Sequence, residues 1–284
     1  MALPTVIYFI LFAYLPMSGL IMAFQDYKPK IGILKSPLVG TKHFVAFFHD
    51  PFFFRLVRNT FMISVWELLI AFPLTIIFAL LLNEIRSKVF KRTIQTISYM
   101  PYFISMVVVA GMIIDFCKSK GVLTQLVGLF TNNTQNILSI PSYWRPLYIG
   151  SGIWQGIGFG SIIYVAALAG IDQQLYEAAV IDGANRWKQT WYVTLPGIST
   201  TIVIMLILKI GSMMSVGYEK TILLYNSQIY ETADIISSYV YRKGLLDFNY
   251  GYSSAVSFFN SVINFVLLLM ANKCSKKFTD TSLF

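Results

Sequence analysis

The sequence is poor in charged residues. Asp, Glu, Lys and Arg make up 12% of its 284 residues, about half the share that is typical of a soluble domain. Hydrophobic residues make up 56% of the chain, and its mean hydropathy is +0.64. Because too little polar surface remains to cover a globule in water, we predict an integral membrane protein.

Cysteine and histidine are also scarce. The two cysteines, Cys117 and Cys274, fall at the ends of different apolar segments, on sides of the membrane that we predict to be opposite, so no disulfide framework or redox motif follows. The two histidines, His43 and His49, lack partners at ligand spacing apart from the neighbouring Asp50. We predict no metal site.

Basic residues outnumber acidic ones, 22 against 13, which gives a formal net charge of +9. A nucleic-acid-binding protein would gather that charge into one patch. Here the lysines and arginines are scattered between apolar runs, as is typical of residues that flank membrane segments and meet lipid headgroups. We therefore expect contact with membrane lipid and not with nucleic acid.

Six apolar stretches approach the length of about 20 residues that a membrane-spanning helix needs. They cover residues 3–24, 59–82, 99–116, 147–170, 198–216 and 252–271. The first lacks a basic leading region and a small-residue cleavage site, so we expect a retained membrane helix. The sequence predicts one all-α membrane domain over residues 1–284, with a polar loop over residues 171–197. An even number of spans places both termini on one side, but the basic residues of the loops leave that side undecided.

Three spans contain a charged residue or a glycine repeat. Gly152, Gly156 and Gly160 recur every four residues, a spacing that predicts close packing against another helix. Glu67 and Lys209 lie inside the second and fifth spans, where charges are costly and face a cavity or a partner. The two charges can pair, although the sequence gives no distance between them.

The sixth span carries a polar stripe at helical spacing, formed by Ser253, Ser257, Asn260 and Asn264. Amides and hydroxyls are costly against lipid, so the stripe must face protein or a wet cavity. Hydrogen bonding between helices and contact with a substrate stay open as equal alternatives.

The segment between the fourth and fifth spans reads YEAAVIDGANRWKQTWYVTLP, from Tyr176 to Pro196. Asp172 can cap a short helix, and Asp182-Gly183 predicts a turn. One apolar face of a second helix then contains Ala184, Trp187, Trp191 and Leu195. We expect two short helices bent at the glycine, with one face pressed against the bundle and another free for a partner.

This segment resembles the EAA motif, E-A-A-x-x-x-G-x9-I-x-L-P, of the membrane subunits of binding-protein-dependent ABC importers. The motif positions are Glu177, Ala178, Ala179, Gly183 and Pro196, with Leu195 also matching and Val193 where isoleucine is usual. We add Asp182, Trp187 and Trp191 to the predicted ATPase-docking surface on physical grounds. The stretches NTFMISVWELLIAFPLTIIFALLLNEIRSKVFKRTIQTISYMPYFIS, IWQGIGFGSIIYVAALAGID and YETADIISSYVYRKGL are similar to the LplB-like branch of the MalF-type permeases.

The resemblance implies a type I importer permease (MetI-like) in the bacterial cell membrane, with six spans, cytoplasmic termini and residues 171–197 as the cytoplasmic coupling helix. It implies four partners: two cytoplasmic ABC ATPases, a second EAA-bearing permease, and an extracytoplasmic sugar-binding lipoprotein. ATP and Mg would be held by the ATPases, since the chain has no G-x-x-x-x-G-K-[ST] loop. We predict neither a bound cofactor nor a catalytic residue in this chain.

That branch is associated with oligosaccharides and polysaccharide fragments, which suit aromatic faces and amide or hydroxyl groups. The predicted path residues are Tyr164, Lys209, Ser257, Asn260 and Asn264. Asparagine is frequent in relatives at the position of Lys209, so a cation there weakens any inference of substrate from the family.

Two other classes of protein are alternatives. A secondary transporter or channel could use Glu67 and Lys209 for ion coupling, but no inverted repeat is visible and the EAA pattern would be unexplained. A membrane glycosyl- or acyltransferase would need clustered Asp, Glu or His near one interface. The 13 acidic residues and two histidines of this chain are dispersed.

Overall fold

A computed structural model describes residues 3–131, 135–279 and 282–283, and within these ranges the chain is built of helices joined by turns. The longer helices are α1 (Leu3–Phe24), α2 (Lys42–Phe48), α3 (Phe53–Glu84), α4 (Lys88–Phe103), α5 (Met106–Cys117), α6 (Val122–Thr131), α7 (Pro141–Ala169), α8 (Gln173–Ile181), α9 (Arg186–Gly197), α10 (Ser199–Gly211), α11 (Tyr218–Leu224), α12 (Ile236–Tyr241) and α13 (Tyr250–Thr279). Short helical turns cover Ile137–Ser139, Ser227–Ile229, Tyr230–Ala233 and Arg242–Leu246.

Four of these helices, α1, α3, α7 and α13, are long and apolar enough to cross a membrane. Two bent pairs pass the same test when joined: α4 with α5, bent by 96°, and α9 with α10, bent by 61°. The described residues therefore hold between four and six candidate spans, and the predicted all-helical membrane class is confirmed. Residues 99–116, predicted as one span, include the break at Ile104, after which the Ser105 hydroxyl caps α5.

Three helices contain a proline that follows a π-helical turn. The turns Ile10–Tyr14, Glu67–Ala71 and Thr190–Thr194 end two residues before Pro16, Pro73 and Pro196. A proline inside a helix lacks an N–H and crowds the carbonyl four residues earlier. A π turn contains one residue more than an α-helical turn, and in each of these helices it lies just before the proline ring. The backbone strain at Pro16 and Pro73 is thus taken up within continuous helices.

The bundle has two ends, which we name by their residues. The loop end contains residues 171–197, and the far end contains α2 and residues 212–249. Because α1 and α13 meet at the far end, where Phe24 packs on Phe258, the opposite ends of both helices lie at the loop end. The segment from His43 to Thr60 contains most of α2, a short turn and the start of α3.

A buried carboxylate holds the far end together. Asp234 is 0% exposed; it accepts two hydrogen bonds from Arg242, at 2.8 and 2.7 Å, and a third from Arg55 at 3.4 Å. The Asn59 amide donates to the backbone carbonyls of Glu231 and Asp234, at 2.8 and 3.0 Å. These contacts pair the buried charge and tie α3 to the connection between α10 and α13.

A second carboxylate, Asp50, joins the turn before α3 to α12 and α13. It accepts hydrogen bonds from the hydroxyls of Tyr239 and Tyr252 and, at 2.8 Å, from the backbone N–H of Phe52. Burial alone would raise the pKa of Asp50, but these three hydrogen bonds and the charge of Lys243 hold that pKa below its ordinary value.

Candidate functional site

The loop end is built by two short helices with well-formed caps. The Asp172 carboxylate caps α8, accepting a hydrogen bond from the backbone N–H of Gln174 at 3.0 Å. At the other end of α8, Gly183 has a φ of +75°; its N–H donates to Val180 O, and the N–H of Ala184 donates to Ala179 O, at 3.0 and 2.9 Å. This pair of bonds is a Schellman motif, which needs a left-handed residue at the glycine position. The predicted cap and turn are both confirmed.

Most residues of the predicted motif face solvent. Glu177, Ala178, Asp182 and Gly183 are exposed, and Ala179 is half-buried. The same short helix also exposes three large apolar side chains: Leu175 at 54%, Val180 at 60% and Ile181 at 85%. An apolar patch on a polar loop is the kind of surface that a partner protein covers.

The expectation that Trp187 and Trp191 press against the bundle is wrong. Their side chains are 74% and 62% exposed, and they edge a groove of about 640 Å³ beside Ile77 and Leu81 of α3. The π turn at Thr190–Thr194 also breaks the 3.6-residue period, so Leu195 does not continue the face of Trp187 and Trp191 as predicted. Both tryptophans remain part of the loop-end surface.

One ion pair joins the loop to a membrane helix, and two further contacts join segments of the loop to each other. The Arg186 guanidinium lies 2.7 Å from a Glu84 carboxylate oxygen at the end of α3. The hydroxyls of Tyr176 and Thr194 lie 3.0 Å apart and join α8 to α9. At the base of the loop, a Cβ on Gly197 would lie 2.8 Å from the Ile171 side chain, so the first and last residues of the loop are in contact. Ile171 also packs in one apolar cluster with Ala79 of α3 and Leu168 of α7, so the base of the loop is in contact with both helices.

A cavity of about 350 Å³ lies between α3, α7 and α10, and we call it the mid-bundle cavity. Its lining residues are Ala71, Phe72, Thr75, Gly160, Tyr164, Met205, Leu208, Lys209 and Ser212. The Lys209 Nζ lies 2.9 Å from Glu67 Oε2, so the two intramembrane charges do pair. The lysine side chain is 41% exposed and the glutamate side chain 28%.

The five predicted path residues do not converge on one cavity. Tyr164 and Lys209 line the mid-bundle cavity, whereas Ser257 and Asn260 line a second cavity of about 560 Å³ between α1, α12 and α13. Asn260 Oδ1 is buried there and makes no hydrogen bond within the described residues.

Asn264 lies outside the lining of both cavities and forms hydrogen bonds between helices. Its Oδ1 accepts from the backbone N–H of Met214 at 2.8 Å, and its Nδ2 donates to Ser215 Oγ at 2.8 Å. The amide thus satisfies backbone that is left free just beyond the end of α10.

The predicted glycine strip on α7 is packed only in part. Gly152 lies near the Lys220 ammonium and Gly160 near the Thr75 methyl group, while a Cβ on Gly156 would meet nothing within 4 Å. The tightest approach is at Gly158, where a Cβ would overlap the backbone carbonyl of Ser98 in α4. Gly158 lies outside the four-residue repeat, so the repeat gave no signal for it.

Lys220 is a functional candidate that the sequence did not single out. It is 5% exposed, and its Nζ donates to the Tyr148 carbonyl at 2.6 Å and lies 4.4 Å from the centre of the Tyr148 ring. Burial lowers the pKa of Lys220 to about 8, against a smaller opposing influence of Glu67. In the sequence Lys220 is one more loop lysine, since nothing local marks it as buried.

The comparisons with known proteins agree with this arrangement. Residues 71–279 match the family described as binding-protein-dependent transport system inner membrane component. Protein LplB of Bacillus subtilis (strain 168) is 44% identical over 99% of this chain and 89% of its own length. The polygalacturonan/rhamnogalacturonan transport system permease protein YteP of the same organism is 43% identical, over 100% and 89% of the two lengths.

Among solved structures, the chain is similar to one chain in the crystal structure of a bacterial alginate ABC transporter in complex with alginate pentasaccharide-bound periplasmic protein. The TM-score is 0.90 at 42% identity, and the match covers 100% of this chain and 95% of that one. These findings confirm the resemblance that the EAA motif predicted. The chain belongs to the family of binding-protein-dependent transport system inner membrane components, the permeases of ABC transporters.

Proposed function

We propose that this permease imports oligosaccharides or fragments of polysaccharides, driven by ATPase subunits that dock on the loop of residues 171–197. The observation that carries the proposal is the exposed EAA segment, braced against the same helices that form the mid-bundle cavity. The names of the relatives support the substrate class, since YteP is a permease for polygalacturonan/rhamnogalacturonan and the similar structure belongs to a transporter for alginate.

The docking surface in this proposal combines polar and apolar groups of α8. Glu177 and Asp182 offer carboxylates, while Leu175, Val180 and Ile181 offer apolar contact area. Ala178, Ala179 and Gly183 are small, so a partner's groove can approach the backbone closely. Trp187, Trp191 and Pro196 extend the surface along α9.

Transmission follows the contacts of the loop. ATP-driven closure of the ATPases would move α8, and the contacts at Tyr176, Arg186 and Ile171 would carry that movement to α9, α3 and α7. Because α3, α7 and α10 line the mid-bundle cavity, the movement would change the access to it. This is alternating access without covalent chemistry in the chain, with ATP and Mg bound by the partner subunits.

The path would pass through the mid-bundle cavity, where the Tyr164 and Phe72 rings suit the CH faces of sugars and Thr75, Ser212 and Lys209 suit their hydroxyls. A second EAA-bearing permease would close the open side of this cavity. Ser257, Asn260 and Asn264 stay proposed path residues on α13, although Asn264 already has two hydrogen-bond partners. An extracytoplasmic sugar-binding lipoprotein would deliver the substrate at the far end, with the loop end and both termini cytoplasmic in a bacterial cell membrane.

A substitution at the bend of the loop tests the coupling role. Valine at position 183 would have to adopt the left-handed conformation, at a cost of about 1–2 kcal/mol, whereas asparagine tolerates it. We expect Gly183→Val, and likewise Glu177→Lys, to reduce saccharide-stimulated ATP hydrolysis by about tenfold or more, while membrane insertion is normal. Gly183→Asn is the matched control and should keep most of the stimulation. Full stimulation in both Gly183→Val and Glu177→Lys would refute docking at this loop.

A further inference from the structure

A long apolar groove at the loop end is separate from the mid-bundle cavity, and we call it the loop-end groove. One wall is α3 from Pro73 to Glu84, and the other is formed by α9 and the start of α10, from Arg186 to Ile202. Its volume of about 640 Å³ lies within the range of ligand pockets. No residue lines both the groove and the mid-bundle cavity, so an occupant of the groove need not be the transported saccharide.

The inside of the groove is apolar. Its half-buried floor includes Ile76, Leu80 and Ile202, which pack against one buried apolar cluster of the bundle. Ile77 and Leu81 form the rim on α3 and are 48% and 61% exposed. Water against such a surface is unfavourable, so the groove suits a hydrocarbon chain.

The α9 wall has the composition of a membrane interface. The Thr190 and Thr194 hydroxyls donate to backbone carbonyls of the same helical segment, at 3.0 and 3.3 Å, so they make no demand on an occupant. The Trp187 and Trp191 rings line the same wall. Tryptophan is enriched where membrane hydrocarbon meets the polar headgroups. This wall therefore suits the region just below a phospholipid headgroup.

The mouth of the groove holds one ion pair that can form further hydrogen bonds. Glu84 and Arg186 are the charged residues of the lining; they lie 2.7 Å apart, and their side chains are 51% and 57% exposed. A guanidinium has five N–H donors, and Glu84 takes one of them in the described part of the chain. The second carboxylate oxygen of Glu84 accepts no hydrogen bond there. The mouth thus presents a positive and a negative group side by side.

The length of the groove matches one leaflet of a bilayer. Helix α3 has 32 residues, about 48 Å of helix, so it extends beyond a hydrocarbon core of about 30 Å. Its last residue, Glu84, therefore reaches the headgroup region. Pro73 lies eleven positions earlier, about 16 Å along the helix, which is close to mid-depth. The lining is charged at headgroup level and apolar from there to mid-depth, like one chain of a phospholipid.

We propose that the loop-end groove binds a phospholipid with a primary ammonium headgroup, of the phosphatidylethanolamine class. One acyl chain fills the groove, the phosphate accepts hydrogen bonds from Arg186, and the ammonium donates to Glu84. A choline headgroup has no N–H to donate, and a glycerol headgroup has no cation to place beside Glu84. The bound chain contacts α3 and α9 together, so it braces the segment that follows the EAA helix. This site does not depend on the identity of the transported substrate.

The test uses the complete transporter in bilayers of phosphatidylcholine. The probes are phosphatidylethanolamine, phosphatidylcholine and phosphatidylglycerol with the same diazirine-bearing acyl chain, each added as a minor component so that the bilayer itself is unchanged. After irradiation, mass spectrometry locates and quantifies the labelled peptides. We expect the ethanolamine probe to label the peptides of Leu81 and Trp191 about threefold or more above the other two probes, as two exposed ionic contacts allow.

A filling substitution and a matched control test the groove itself. Leu81→Trp narrows the rim and should lower labelling of α9 by the ethanolamine probe to the level of the choline probe. Leu69→Trp is the control, because Leu69 lies on the same helix, outside the groove lining, and is 62% exposed against 61% for Leu81. It should leave the labelling of α9 unchanged. The double variant Glu84→Gln with Arg186→Gln should equalise the three headgroups.

Three results would overturn the proposal: equal labelling of the groove by the three wild-type probes, labelling of α9 that Leu81→Trp leaves intact, or a groove that stays unlabelled because a partner subunit fills it. If Leu81→Trp does not assemble, the comparison of the three probes on the wild-type transporter still decides. Labelling needs neither saccharide nor ATP. A transporter that failed to import saccharides would therefore contradict the proposed function and leave the lipid site standing.

Discussion

Gly158 shows how much can depend on one missing side chain. It is buried in α7 at the point where α4 crosses, and any Cβ there would overlap the carbonyl oxygen of Ser98. Gly156, one half-turn earlier, has open space on the side where a Cβ would point. Two glycines on one helix thus differ in whether the fold needs them.

We expect Gly158→Ala to destabilise the bundle by about 1–3 kcal/mol, as overpacking does when backbone has to move. Gly156→Ala should be neutral or slightly stabilising, since alanine favours helix and meets no neighbour. Thermal unfolding of both purified variants in detergent checks the difference. An equal Tm for the two variants would show that α4 and α7 can separate at Ser98 without cost.

The backbone conformation and helix caps of single residues could be predicted from the sequence better than their contacts with distant residues. The Asp172 cap and the left-handed Gly183 followed from local rules, and both are present. Gly158 and Lys220 owe their environment to residues about 60 to 70 positions away, Ser98 and Tyr148. Local periodicity carries no information about such partners, so the repeat at Gly152, Gly156 and Gly160 missed the closest approach.

At the level of elements, the Asp50 carboxylate connects three segments of the chain by hydrogen bonds. Its carboxylate accepts hydrogen bonds from Tyr239 and Tyr252, so α12 and α13 are held to the turn that precedes α3. Its folded-state pKa lies below the ordinary value of 3.8. A carboxyl group whose pKa is lower in the folded state stabilises the fold when the pH is above the unfolded-state pKa. That stabilisation is lost as the pH falls through the folded-state pKa.

We therefore expect Asp50→Asn to lower the Tm at neutral pH, and we expect the gap to wild type to shrink as the pH falls below 3.8. Asp115→Asn is the matched control, because the ion pair of Asp115 with Lys118 at the end of α5 is exposed. Its effect on Tm should be small at neutral pH. A gap for Asp50→Asn that stays constant between neutral and acidic pH would mean that the side chain contributes by shape and not by charge.

The elements themselves were predictable where hydropathy decides, and less so where helices bend. The length of the apolar stretches located α1, α3, α7 and α13, although three of these helices extend beyond the predicted spans. The break between α4 and α5 and the π turns before the prolines depend on how neighbouring helices satisfy freed backbone groups, which a one-dimensional pattern does not contain. The regular period assumed for this segment placed Trp187 and Trp191 inward, whereas both side chains are exposed.

Across the whole molecule, polarity is distributed along the bundle axis. Buried ion pairs and hydrogen bonds around Asp234 and Asp50 hold the far end, a paired lysine and glutamate lie at mid-depth, and exposed small and apolar residues cover the loop end. Much apolar surface of α1 remains uncovered in the single chain, including Leu3, Phe12 and Leu15. Such a distribution suits a subunit that works in lipid beside another membrane protein.

The proposed orientation makes a prediction about the two free cysteines. Cys274 is exposed near the loop end of α13, and Cys117 is buried at the end of α5. If the loop end is cytoplasmic, a membrane-impermeant maleimide should label Cys274 in inverted membrane vesicles but not in intact cells, and Cys117 should react in neither. Lys30→Cys places a thiol on the exposed connection between α1 and α2 and should be labelled in intact cells. Labelling of Cys274 in intact cells, with Lys30→Cys silent there, would place the loop end outside, away from any cytoplasmic ATPase, and would contradict the coupling mechanism together with the orientation.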